Sequence, residues 1–252
     1  MVERGYLVRS PGSKAYMLGS AVILAGHAAE QANPAVHAAR TVVPAVARDL
    51  DVECVASVVE RDVITVVEWA PAPASARAAI ARSSPWSHVG QRVPLVPPFG
   101  AAHVAWSAEE RVAEWLARAA GAADERELRD SLSAIRERGF DVQVENAHLD
   151  QFRTTLAAID LDQLSTSSRA AVSQLVAELG HVEYVPVELT ADRVYDINAL
   201  AAIVFDAAAR PVLTLSVHPS EPLAGAEVTA MGRRLRTAAD DVTASIGGVT
   251  PD

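Results

Sequence analysis

The stretch Leu200-Ala201-Ala202-Ile203-Val204-Phe205, then Asp206-Ala207-Ala208-Ala209-Arg210, then Pro211-Val212-Leu213-Thr214-Leu215-Ser216-Val217, decides the fold class. Two apolar, strand-length runs joined by a short connection predict an antiparallel pair. A second such pair lies upstream, where Val52–Val59 and Val63–Trp69 flank Glu60-Arg61-Asp62. Between and after these pairs the apolar spacing becomes helical. Residues 107–119 place Val112, Trp115 and Leu116 on one face, with Ser107 and Glu110 at capping-box spacing. Asp124 to Arg138 aligns Leu128, Leu132 and Ile135, and Gly139 stands where a C-terminal cap belongs. Residues 224–246 form a long amphipathic helix with Val228, Met231, Leu235, Ala238, Ala239, Val242 and Ile246 inward.

The remaining segments fit the same scheme. Residues 5–8 and 15–18 read as a hairpin around the Pro11-Gly12 turn. Residues 20–31 and 34–49 read as helices broken at Asn33-Pro34, with Pro44 a candidate kink in the second. Phe140–Glu145 alternates like a half-buried strand, and residues 70–98, rich in proline, read mostly as loop with a helical turn near 76–81. Helical spacing returns at 148–160 and 166–180, and Val182–Val187 suggests an edge strand interrupted by Pro186. Strands paired in hairpins and covered by helices predict the α+β class.

Composition narrows the function. With 252 residues, 50% hydrophobic and 21% charged, the chain can bury a large core. A formal net charge of −10 makes its body repel phosphate backbones, leaving room for a small basic element at one end. Cys54, the one cysteine, excludes an internal disulfide. Its apolar run favours a buried small hydrophobe over a reactive thiol. No signal peptide or bilayer-length apolar run is visible, so a cytoplasmic protein without membrane contact is expected. No phosphate loop, nucleophile elbow or His-Glu-x-x-His helix occurs, and the seven histidines lack metal-ligand spacing. The pairs Asp160/Asp162 and Asp240/Asp241 read as solvated acids. The expectation is therefore a non-enzyme with no catalytic residue, metal or cofactor.

Three stretches in order resemble the IclR family of bacterial transcriptional regulators. Val2-Glu3-Arg4-Gly5-Tyr6-Leu7-Val8-Arg9 through Tyr16-Met17-Leu18-Gly19 resembles the end of that family's recognition helix and its wing. Val93-Pro94-Leu95, Gly100 and Val104-Ala105 resemble the segment lining its effector pocket. Ile135-Arg136-Glu137-Arg138-Gly139-Phe140, with Val204-Phe205-Asp206 and Leu213–Val217, resembles its C-terminal half. The resemblance implies a remnant of a winged helix-turn-helix at 1–19, a linker helix at 20–32, and a GAF-like effector-binding domain at 33–252. That domain would carry an extra segment at about 147–194 that covers or reshapes the pocket. It also implies a homodimer or tetramer.

Residues 1–14 carry two net positive charges, and the resemblance gives Arg4, Arg9 and Lys14 a place at the DNA backbone. Because the supporting helices of such a domain do not precede residue 1, promoter DNA is a partner only if those helices are present. Either the reading frame starts further upstream, or the chain is a stand-alone ligand-binding or heterodimerising module without DNA binding of its own. The resemblance places Pro98, Phe99, Gly100, Ala101, Glu145, Ala199, Ser216 and His218 around a small organic acid or aromatic effector. The loop before Gly100 is one residue shorter than in the family and carries Pro97-Pro98-Phe99, and Ala101 stands where lysine is common. Those departures predict a larger, more apolar or aromatic ligand. His218 reads equally as a pocket residue, on one strand face with Ser216, or as an exposed strand end before Pro219.

Overall fold

The computed structural model describes residues 1–10, 12–13, 15–73, 89–119, 124–145 and 185–251. Its chain begins with the expected hairpin, in which β1 (Leu7–Arg9) pairs antiparallel with β2 (Tyr16–Leu18). Gly12, at φ +81°, supplies the positive φ that the turn needs. Helix α1 (Ser20–Gln31) follows, and none of its residues is buried. Asn33 caps α2 (Pro34–Leu50) by accepting the Val36 N–H, and Pro34 sits in the first turn, where its missing donor costs nothing. Helix α2 runs on through Pro44.

One antiparallel sheet carries the rest. Its strands are β3 (Glu53–Glu60), β4 (Val63–Ala70), β5 (Arg92–Pro94), β6 (Asp141–Val144), β8 (Ile197–Phe205) and β9 (Pro211–His218), in spatial order β5-β4-β3-β9-β8-β6. Both hairpins read from the sequence are present, and β3 pairs with β9 to join them at the centre. Every residue of β8 is buried, as its continuous apolar run requires. A separate two-stranded ribbon joins β7 (Val194–Tyr195) to β10 (Leu223–Ala224).

Period two sorts the strand residues between two helical layers. Cys54, Ala56, Leu200, Ala202, Val204, Leu213, Leu215 and Val217 face α2 and the long helix α6 (Gly225–Ser245). On α2, Ala35, Ala39, Val43, Val46, Ala47 and Leu50 make the inward stripe. Val228, Leu235, Ala239 and Val242 do the same on α6. Each fully buried Val or Leu contributes about 1.5–3 kcal/mol of transfer free energy, so these stripes hold the layer. Gly232 lets α6 settle onto the sheet, because a Cβ there would lie 2.2 Å from Phe140 Cε2. The opposite face carries α3 (Ala101–Val104), α4 (Glu109–Ala117) and α5 (Glu125–Arg138), whose core includes Leu95, Trp115, Leu132 and Ile135.

Three expectations change. Arg92–Pro94 forms a short edge strand rather than loop; the edge position and strand end tolerate a proline without an N–H. Ser107 is not the cap of α4, because Ala108 occupies that position and the Ser107 hydroxyl donates back to the His103 carbonyl. Residues 185–187 are not strand: the Pro186 and Val187 carbonyls accept from Arg138 Nη1 instead of a neighbouring strand. Gly232 and Thr243 join the inward face of α6, where Met231, Ala238 and Ile246 pack against the core as expected but are partly buried. The helices expected at 148–160 and 166–180, the helical turn near 76–81 and residues 182–184 lie outside the described residues, as does most of the segment at 147–194.

Candidate functional site

A cavity of about 100 Å³ lies between the sheet and α3, on the face opposite α2 and α6. Strands β3 and β4 supply Val55, Ser57, Val59, Ile64 and Val66, and β9 supplies Thr214 and His218. Val93, Gln143 and Ala201 come from β5, β6 and β8. Phe99, Gly100, Ala102 and His103 form the roof.

The roof is pinned from behind. Trp115 Nε1 donates to the Phe99 carbonyl at 2.9 Å, Arg118 Nη1 to the Leu95 carbonyl at 3.1 Å, and Arg136 Nη1 to the Ala105 carbonyl at 3.0 Å. Arg118 and Arg111 also converge on Asp62 in the β3–β4 turn, and together they hold that carboxyl below its usual range against a partial burial that pushes the other way. Gly100 initiates α3 at φ +79°, and a Cβ there would meet Leu95 Cδ1 at 2.2 Å. The turn therefore requires glycine for both its backbone and its space.

One end of the cavity is polar. His218 Nδ1 donates to the Asn198 carbonyl at 2.8 Å, Asn198 Nδ2 to Gln143 Oε1 at 3.3 Å, and Gln143 Nε2 to Asp141 Oδ2 at 2.7 Å. A register shift between β6 and β8, where Gln143 pairs with Ala199 and Val144 with Ile197, leaves Asn198 as the bulged residue. Asp141 is wholly buried; burial raises its pKa, and Gln143 and the Arg138 charge pull it back. On the roof, burial drives His103 down to about pKa 4, with the Arg111 charge acting in the same direction. That imidazole is neutral at physiological pH. Cys54, facing the other layer, is buried with its thiol pushed up to about 12, mainly by burial. It is a core residue there.

Of the residues singled out from sequence, Phe99, Gly100 and His218 line this cavity. Ser216 lies in the same cross-strand row, between Val55 and Ala201, both of which line it. Ala199 pairs with the lining residue Gln143. Ala101 turns into the Trp115 core, Pro98 only precedes the roof, and Glu145 follows β6 with its N–H on the Asp196 carbonyl. None of these five is among the lining residues. Ser57, Thr214, Gln143 and His103 were not singled out. A lone hydroxyl inside an apolar strand was the available signal for the first two. Arg4 precedes the hairpin and Arg9 ends β1, both exposed, and Lys14 lies outside the described residues. Among the described residues no three His, Cys, Asp or Glu side chains gather as for a metal, and no helix is long and apolar enough to cross a membrane.

The fold thus comprises an exposed N-terminal hairpin, a helix with no buried residue, and a six-stranded sheet between two helical layers with a small cavity on one face. Solved structures with this fold include IclR-type transcriptional regulators. One from Alicyclobacillus acidocaldarius superposes with TM-score 0.63 at 20% identity, covering 97% of this chain and 81% of that one. HmgR of Pseudomonas aeruginosa gives 0.61 at 20% identity, covering 98% and 81%. An IclR-type regulator from Silicibacter gives 0.61 at 17% identity, covering 99% and 81%. Neither a protein-family model nor a curated protein matches the sequence. The chain therefore has the IclR-type fold over nearly its whole length.

Proposed function

We propose that this chain is a ligand-responsive transcriptional regulator of the IclR type. Residues 33–252 bind a small organic effector in the cavity beneath α3. Occupancy is relayed through the linker helix to the hairpin at 1–19, where Arg4, Arg9 and Lys14 meet the DNA backbone. Copies pair along α1, whose Ile23 and Leu24 have no intramolecular cover. The observation that carries this reading is a cavity with polar side chains at one end, in a fold otherwise met in such regulators. Of the eight effector-contact residues expected from sequence, Phe99, Gly100 and His218 stand at the ligand; Ser216, Ala199, Ala101, Pro98 and Glu145 support its walls.

Fluorescence anisotropy of the purified chain on DNA from its own promoter region tests the reading. Binding that weakens steeply with salt, and that shifts with an effector, supports it. A second reading, a heterodimerising module without DNA binding of its own, is favoured by one feature: Tyr16, Met17 and Leu18 stand exposed on β2, open to an apolar partner. Absence of DNA binding by the purified chain, with binding restored by an intact IclR-type partner, selects that second reading.

A further inference from the structure

Ser57 and Thr214 face each other across the β3–β9 pair and both line the cavity. They are only 8% and 9% exposed, and neither hydroxyl is hydrogen-bonded to another described residue. Buried hydroxyls are ordinarily bonded, because removing them from water without compensation is costly. Two unbonded ones side by side, opening into one cavity, are donors and acceptors waiting for an occupant. The walls beside them, Val55, Val66, Val93 and Ala201, are apolar. No lysine or arginine lines the cavity among the described residues. An apolar cavity of roughly 150 Å³ admits benzene, so about 100 Å³ suits a body of roughly four to six heavy atoms.

We propose that the occupant is an uncharged molecule of a few heavy atoms, its one hydroxyl, carbonyl or carboxamide group bonded by Ser57 and Thr214, and that carboxylates are rejected. The inference rests on the reading of this cavity as the effector site. A hydroxyl pair both gives and accepts hydrogen bonds, which matches an amide or alcohol on both counts. An ionised carboxylate accepts only, and it loses its hydration in a cavity without a counter-charge on its described walls. His103 cannot cheaply become that counter-charge, since burial and Arg111 both oppose its protonation. The neutral specificity departs from the organic acids and larger aromatics that the sequence suggests.

The test compares two molecules of one shape, isobutyramide and isobutyrate, on the full chain by saturation-transfer NMR and calorimetry. The amide is expected to bind at least tenfold more tightly. Ser57→Ala and Thr214→Val should each weaken it by about five- to tenfold. The same variants should leave the thermal midpoint unchanged, since neither hydroxyl bonds to a described residue of the fold. A merely structural hydroxyl would lower the midpoint instead, and that result overturns the assignment. Equal or tighter binding of isobutyrate, lost in an Ala201→Leu variant that fills the cavity, overturns the neutral specificity while leaving the site reading intact. Failure of both probes to bind removes the site reading, and the inference with it.

Discussion

Trp115 Nε1 donates its hydrogen to the Phe99 carbonyl at 2.9 Å, tying α4 to the loop that roofs the cavity. The indole is among the largest fully buried side chains, so the bond forms where water cannot replace it. Trp115→Phe keeps an aromatic ring and removes the donor. Its expected cost is about 2–4 kcal/mol, from the lost bond and the lost volume together. Chemical denaturation measures that loss. Ligand affinity should fall as well, because Phe99 and Gly100 would no longer be held in register with β9.

The fold was legible because its signals are local. The runs at 200–205 and 211–217 could pair only as a hairpin, and α2, α5 and α6 carry helical stripes, with Asn33 at the start of α2 and Asp124 and Gly139 at the ends of α5. The site was less legible because it is assembled across the sheet. Ser57 and Thr214 meet only through the β3–β9 pairing, 157 positions apart in number. Gln143 reaches the cavity through a bulge at Asn198 that no periodicity announces. A resemblance located the roof at Phe99 and Gly100, since that turn is set by adjacent residues. Ala101, singled out with them, packs in the core around Trp115.

Gly100 should tolerate no side chain. At φ +79°, with Leu95 Cδ1 2.2 Å from a would-be Cβ, Gly100→Ala adds backbone strain to a steric overlap. A loss of about 1–3 kcal/mol is expected in thermal or chemical unfolding. Combining it with Leu95→Ala should recover only the overlap, so the double variant loses less than the sum of the two single changes. Strict additivity would show that Leu95 does not crowd this turn.

His103 gives the stability a pH dependence of known sign. Its folded pKa, about 4, lies below the 6.5 of an exposed imidazole, through burial first and Arg111 second. The unfolded chain therefore takes up the proton first. Stability from this group is complete above about pH 6.5 and is lost as pH falls from there to about 4, on the order of 3 kcal/mol in all. Urea midpoints for the parent chain and His103→Gln, followed between pH 7 and 4.5, should converge as the pH drops. Parallel curves would place the histidine in water.

Helix α1 makes the sharpest claim on assembly. Ile23 and Leu24 are 74% and 70% exposed, and none of the twelve residues of Ser20–Gln31 is buried. An apolar helix of that length without cover gains stability only by packing against another surface, and under the proposed function that surface is α1 of a second copy. Covering Ile23 and Leu24 on both copies contributes several kcal/mol to association at about 1.5–3 kcal/mol for each side chain. A double Ile23→Glu, Leu24→Glu variant should therefore run as a monomer in light scattering at concentrations where the parent chain is paired. Its sheet, packed on α2 and α6, is untouched by the change, so its cavity should still take the probe molecule. A variant that stays paired would move the contact between copies away from α1, and one that loses probe binding along with pairing would make the cavity depend on the second copy.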